Sequence, residues 1–465
     1  MHRTLPLVVL GLLVVLAWPA AQAQNDPGGA PPPAGPGHDP ARRDGVSGSK
    51  LRPTLGIRID LNKLFAPTRT EPTHEPGQLL VLWPDETEAR AGLAWLAQNE
   101  QLVAAEQHGL PALGGVLALF VLTDDTQARL LRERIRAAQP QWVVDLNARA
   151  TPQQHDSAGA AAPKPATAPR LYAHAMLGLT PAVPRPPALR VGVIDTELDP
   201  GWLQPSAARL WNGSTVQLRS LLAADDTAAP PAHGQQVAML LAGAALANGF
   251  AGAAPAVELR WAAVMRRTGA SIHTDSLRLA RSLDWLVGQQ VQLVNLSAGG
   301  AGDDILRTVV GQVLARGVAL LAAAGNQPTE DAVYPAAYAG VWAVTAVDAQ
   351  AQAYAQASRA RHVAFAAPGV DVWVPDAVGV PGATASSNDS TMASPAGRYV
   401  SGTSFATALA SGALARLPAS FWQLAPMERK ARLCEAARPG APPQAVLGCG
   451  LLRFDAIARN QESRP

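Results

Sequence analysis

Between residues 189 and 415 the chain alternates short, unbroken apolar runs with longer stretches of helical spacing. The runs LRVGVID (Leu189 to Asp195), VELRWAAVM (Val257 to Met265), VQLVNLS (Val291 to Ser297) and VALLAAAGN (Val318 to Asn326) predict strands buried on both faces. VWAVTAVD and HVAFAAPG add two more. His233 to Gly243, Leu277 to Gln289 and Ile305 to Arg316 predict helices between them, and an Ala-rich helix follows Ser404. Strands that do not alternate, separated by helices, predict an α/β fold with a parallel sheet covered on both faces. Such sheets place their sites outside the carboxyl ends of the strands.

The preceding stretch has a different rhythm. QLLVLW (Gln78 to Trp83), LVAAEQ (Leu102 to Gln107), VLALFVL (Val116 to Leu122) and WVVDL (Trp142 to Leu146) predict strands. Glu86 to Glu100 places Ala89, Leu93 and Leu96 on one helical face. Asp125 or Thr126 is expected to cap a second helix that buries Ala128, Leu131 and Ile135. The order β-α-β-β-α-β predicts a small ferredoxin-like α+β sandwich. It carries no catalytic cluster of its own.

Two stretches rich in proline, glycine and alanine punctuate this order. Residues 24–74 open with PGGAPPPAGPGHDP and predict a disordered leader, and TPQQHDSAGAAAPKPATAP opens a linker over 151–170. The sandwich then spans 75–150 and the large domain 171–462. Residues 1–23 carry Arg3, an apolar stretch from Leu5 to Ala17 and the small-x-small triplet Ala21-Gln22-Ala23. That pattern predicts a secretory signal peptide, hence export to the periplasm or the medium, with no membrane anchor once it is removed. Composition fits this picture: 465 residues, 48% hydrophobic and 16% charged, fill more than one domain. The net charge of +2 is spread without a basic cluster, which argues against nucleic acid as a partner. Cys434 and Cys449 are the two cysteines. In an exported chain they are candidates for a disulfide, with two buried thiols as the alternative.

The candidate chemistry lies at element ends. Asp195 ends an apolar run, His233 opens a helix in HGQQVA, and Ser404 opens another in GTSFATA. A serine hydroxyl is a weak nucleophile until a histidine takes its proton, and a buried carboxylate orients the imidazole and stabilises its cation. Taken singly, these residues read as a strand-end cap, a surface histidine and a helix N-cap. Together they keep the chain order Asp, His, Ser. An α/β-hydrolase needs its histidine after the serine, and none follows Ser404, because the last histidine is His362. Asn326, just past a glycine at a strand end, is a candidate oxyanion donor beside the Ser404 backbone N–H.

The large domain resembles a subtilisin-like (subtilase) serine protease. The resemblance is carried by VGVIDTELD, HGQQVAMLLAG, GFAGAAP, VNLSAGG, AAAGN, YPAAY, FAAPG, SGTSFATALASG and GCGLLRFDAI, all in family order. It implies a serine endopeptidase acting through an acyl-enzyme on polypeptide substrates. It also implies that Ser297, Ala298 and Gly299 flank the substrate backbone, and that Ala323, Ala324 and Gly325 wall the pocket for the residue before the cut. The small walls suggest room for a sizeable apolar side chain. The sandwich resembles the family's propeptide, which implies a zymogen whose own N-terminal domain inhibits it in cis; an appended binding module is the alternative. The family often binds calcium in the loop after the histidine helix. The resemblance therefore leaves calcium as a candidate ligand, though a weakly supported one: that loop, GAALANGFAG, offers only Asn248 as a side-chain oxygen donor, and hard cations want several oxygens. Gln235 and Gln236 replace the family's Thr and His, and Ala408 stands where proline is usual. These departures leave a second reading, a catalytically weak peptide-binding regulator that keeps the fold.

Overall fold

The structure, a computed structural model, describes residues 72–153, 170–179, 189–204, 211, 213–254, 256–376, 397–438 and 445–457. The signal peptide, nearly all of the leader, and the linker beyond Gln153 lie outside the described residues. Among those described, no helix is long and apolar enough to cross a membrane.

The first domain comprises β1 (His74–Trp83), α1 (Glu86–Asn99), β2 (Glu106–Gly109), β3 (Val116–Val121), α2 (Asp125–Ala138) and β4 (Val143–Pro152). Its antiparallel order β2-β3-β1-β4 is that of a ferredoxin-like sandwich. Asp85 and Asp124 cap the two helices through the backbone N–H groups of Glu88 and Gln127. The cap of α2 is therefore one residue earlier than the sequence pattern suggests. Asp125 instead holds the His74 ring nitrogen at 2.7 Å. The second strand also shifts. The apolar Leu102 and Ala104 pack onto the domain core ahead of the strand, and the strand itself is the exposed edge EQHG. β4 is twice the length the apolar run predicts, so Thr151 and Pro152 belong to a strand and not to a linker.

The second domain holds a seven-stranded parallel sheet in the order β14-β13-β12-β10-β5-β7-β6. Its strands are β5 (Arg190–Asp195), β6 (Thr215–Ser220), β7 (Glu258–Ala263), β10 (Leu293–Leu296), β12 (Ala319–Ala323), β13 (Trp342–Val347) and β14 (Val363–Pro368). Outside this sheet lie the hairpin β8 (Arg266–Thr268) and β9 (Ser271–Asp275), the short β11 (Ala298–Gly300), and the pair β15 (Val372–Pro375) and β16 (Gly397–Val400). The helices are α3 (Ala173–Leu177), α4 (Ala232–Ala242), α5 (Ser276–Gly288), α6 (Asp304–Ala315), α7 (Thr403–Ala415), α8 (Ala419–Gln423) and α9 (Pro426–Ala436). One sheet face buries Val191, Val193 and Leu321 with α4 and α7, and the other buries Ile194, Val294 and Leu320 with α5 and α6. Every residue of α7 is buried, which explains its Ala, Gly, Ser and Thr: bulky side chains would hold neighbouring elements away. Behind the core, a Cys434–Cys449 disulfide ties α9 to the closing segment.

The domains share more than a boundary. Leu80, Leu82, Leu117 and Leu119 of the small sheet join the apolar cluster formed by α5 and α6. The polar seam is specific. Asp145 accepts the Asp304 backbone N–H at 2.9 Å and Asn147 accepts that of Leu277 at 3.1 Å, so each satisfies a free donor in the first turn of one helix. Asp284 returns the favour by accepting the N–H groups of Ala112 and Leu113.

Candidate active site

β5 lies where the strand order reverses, between β10 and β7, so its carboxyl end opens into a crevice. Asp195 is its last residue and is fully buried. The Asp195 Oδ1 sits 2.6 Å from Nδ1 of His233, the second residue of α4. The same oxygen accepts the Thr196 N–H at 2.7 Å, which fixes the carboxylate. Thr196 Oγ1 in turn accepts the Gly234 N–H at 2.9 Å and so holds the start of the histidine helix. A Cβ at Gly234 would lie 2.7 Å from that hydroxyl, so only glycine permits this approach.

Ser404 is the second residue of α7 and is fully buried. Its Oγ donates to the Gln153 carbonyl oxygen, and its backbone N–H donates to the same atom at 3.2 Å. The His233 Nε2 is buried with no hydrogen-bond partner among the described residues. Asp195 and His233 are thus joined directly, and the structure engages the Ser404 hydroxyl with a peptide carbonyl.

Asn326 follows β12 through Gly325, whose φ of 114° suits glycine. The Asn326 Oδ1 accepts the Thr403 N–H at 3.0 Å and the Thr403 hydroxyl at 2.9 Å. This consumes the carbonyl end of the amide and leaves Nδ2 buried with no hydrogen-bond partner among the described residues. An unpaired buried donor is costly, about 1–3 kcal/mol.

Residues 149–153 run through the crevice as an added strand. On one side β4 pairs with β9, with Arg149 opposite Asp275 and Ala150 opposite Thr274. On the other it pairs with β11, with Ala150, Thr151 and Pro152 opposite Gly300, Gly299 and Ala298. The Gln153 N–H donates to the Ser297 carbonyl at 2.9 Å. Ser297, Ala298 and Gly299 therefore lie along the backbone of a bound strand. A Cβ at Gly300 would come within 2.0 Å of the Arg149 carbonyl, so the close pairing depends on that glycine. Ala323 and Ala324 are buried behind the crevice. The hydrogen bonds to the Gln153 side chain come instead from Gly299, Asn326 and the strand's own Thr151.

The sequence pattern missed Gln153 because it stands in a polar, proline-flanked stretch. Thr403 had a visible signal, a hydroxyl directly before the candidate nucleophile. For the metal, Asn248 Oδ1 caps the Phe250 N–H, and among the described residues no group of three or more His, Cys, Asp or Glu side chains is arranged to hold an ion.

A sequence model of the family described as "Subtilase family" matches residues 188–451. The chain is 31% identical over 141 residues to the Thermostable alkaline protease of Halalkalibacterium halodurans, covering 30% of this chain and 38% of that one. It is 30% identical over 145 residues to Subtilisin E of Bacillus subtilis, covering 30% and 37% respectively. The aligned stretch thus spans less than two fifths of either relative. The crystal structure of fervidolysin from Fervidobacterium pennivorans, a keratinolytic enzyme related to subtilisin, superposes with a TM-score of 0.61. That match covers 84% of this chain and 62% of the other at 20% identity, and speaks to the fold.

Proposed function

The chain belongs to the subtilase family, and from that premise we propose that it is an exported serine endopeptidase made as a zymogen. The observation that carries the reading is the Gln153 carbonyl, held by the Ser404 N–H directly before the Ser404 hydroxyl, with the Asp195–His233 pair bonded at 2.6 Å.

In the proposed mechanism Ser404 Oγ attacks a peptide carbonyl while His233 Nε2 takes the hydroxyl proton. Asp195 holds the ring through Nδ1–H and stabilises the imidazolium. The oxyanion is met by the Ser404 N–H, which already holds the Gln153 carbonyl oxygen, and by the Asn326 Nδ2, which has no partner among the described residues and turns to the charge as it develops. His233 then protonates the leaving amine, and water repeats the sequence to release the acid. The substrate is gripped by backbone pairing to β11 and β9, which tolerates many sequences. The small domain acts as an inhibitor in cis, since its last strand fills the site that a substrate needs and its tether raises its effective concentration. Export rests on the N-terminal pattern of Arg3, Leu5 to Ala17 and Ala21-Gln22-Ala23.

A fluorophosphonate probe applied to the processed protein tests the reading. The proposal expects one label on Ser404, loss of labelling in Ser404→Ala, and hydrolysis of casein by the unlabelled form. A folded, processed protein that takes no label and leaves casein intact contradicts it.

A further inference from the structure

The Gln153 side chain is held as specifically as its carbonyl. Its Oε1 accepts the Asn326 backbone N–H at 2.9 Å. Its Nε2 donates to the Gly299 carbonyl at 3.1 Å and to the Thr151 carbonyl at 3.0 Å. Gln153 is buried, at 8% exposure. A main-chain donor on one side and two main-chain acceptors on the other match a primary amide and no other common side chain of this length. A glutamate would set a carboxylate oxygen against the Gly299 and Thr151 carbonyls. A methionine or leucine would remove the acceptor of the buried Asn326 N–H, while the Gly299 carbonyl would keep only its contacts with Thr151.

The space beyond is short. A Cβ built on Gly299 would lie 2.5 Å from Val333 Cγ1 and 3.1 Å from Gln153 Nε2, and one built on Gly325 would lie 2.8 Å from Val333 Cγ2. Val333 therefore stands between the two small-residue walls, beside the amide. The sequence pattern suggested room for a large apolar side chain there; Val333 occupies that room.

We infer that this site selects glutamine as the residue whose carbonyl is attacked, and that its first substrate is the chain's own bond after Gln153. The inference rests on the protease reading above. In the step, the Ser404 Oγ–carbonyl bond forms and the Gln153–Gln154 amide bond breaks. The serine proton passes through His233 to the departing amine of Gln154. Water then releases Gln153 as a carboxylate and returns the proton to Ser404. Val333 is the residue that excludes longer apolar side chains. Backbone groups that hydrogen-bond a substrate amide discriminate strongly against analogues that cannot reciprocate.

Two measurements test this. The first is mass spectrometry of the full chain after self-processing. The inference expects a new N-terminus at Gln154, and a Gln153→Glu chain that is cut at that position at least about tenfold more slowly. A dominant cut elsewhere in the wild type overturns it. The second uses processed protein and four coumarin amides that share Ala-Thr-Pro and end in Gln, Glu, Met or Phe. It needs no altered fold. Glutamine should give a kcat/KM at least about tenfold above the others, and Val333→Ala should raise the value for Phe relative to Gln. Equal or better hydrolysis of the Phe, Met or Glu substrate overturns the inference while leaving the protease reading intact. Failure to cleave any of the four, with no fluorophosphonate label on Ser404, removes both.

Discussion

The first domain meets the second in two places, and the two contacts are built differently. The tail, Arg149 to Gln153, lies in the crevice through backbone pairing on both edges. The body of the domain sits on α5 and α6 through named side chains: Asp145 and Asn147 on the helix starts, and Asp284 reaching back. Glu75 adds a buried ionic knot, bonded to Arg149 on its own domain and to Arg266 at 2.6 Å across the seam, with the His273 Nε2 3.1 Å away. Backbone pairing accepts nearly any sequence, whereas a charge at a helix start accepts few. The body therefore chooses the partner, and the tail presents a bond to the chemistry. Cutting that bond would break neither the side-chain contacts of the body nor the backbone pairing of the tail.

That division can be broken one side at a time. The largest effect is expected at the chemical end. Asn326→Ala removes the free Nδ2 donor and should lower kcat about 10²–10³-fold, equivalent to about 2.7–4 kcal/mol. Binding of the separately added first domain should stay nearly unchanged. Steady-state kinetics and a titration of that domain read the two quantities apart.

Glu75→Gln attacks the docking side. Burial alone would raise the Glu75 carboxyl. Hydrogen bonds from His273 and Arg149, with the charges of Arg266 and Arg149, outweigh it and hold the group well below the usual carboxylate range. Its contribution is thus present above an ordinary glutamate pKa of about 4.3 and is lost as pH falls further. Breaking a buried pair costs about 3–5 kcal/mol when the partner is left uncompensated. Arg266 keeps Asp226 and Asp275 nearby, so a loss of about 2–3 kcal/mol in docking is expected at pH 7. The inhibition constant of the first domain should weaken accordingly, with kcat unaltered.

The smallest effect belongs to Asp303, the cap of α6, which accepts the Leu306 N–H and the Ser276 hydroxyl. Burial, with the nearby Asp145 charge, outweighs those hydrogen bonds and pushes its carboxyl up to about 6. The folded chain then holds this proton more tightly than the unfolded chain does. The stabilisation is full below the unfolded value of about 3.9 and is lost as pH rises to about 6. Asn keeps the cap and does not titrate. Thermal unfolding of Asp303→Asn should gain on the wild type by about 1–3 kcal/mol between pH 4 and pH 6. An unchanged difference across that window would show that the cap is not under this tension.

Legibility in the sequence followed the source of burial. β5, β10 and β12 are covered by helices from within their own domain, so their apolar runs name them directly. Asp195, His233, Ser404 and Asn326 were visible because each ends or opens such an element. The pieces that escaped owe their burial to pairing across the seam. β9 reads SIHTD and the second half of β4 reads NARATP, polar strings with no reason to form strands until each meets the other. β6, TVQLRS, is an edge strand with mostly exposed or half-buried side chains and has little apolar signal. Gln153 escaped for the same reason: its partners lie up to 251 positions away.

The central claim is that this chain presents its own bond to its own serine. The direct measurement is the rate of self-cleavage of the full-length protein over a hundredfold dilution, followed by intact mass. The account predicts a first-order rate constant that does not change with concentration, and no cleavage in Ser404→Ala. A rate that falls in proportion to concentration, or a wild-type chain that stays whole while folded, would contradict it.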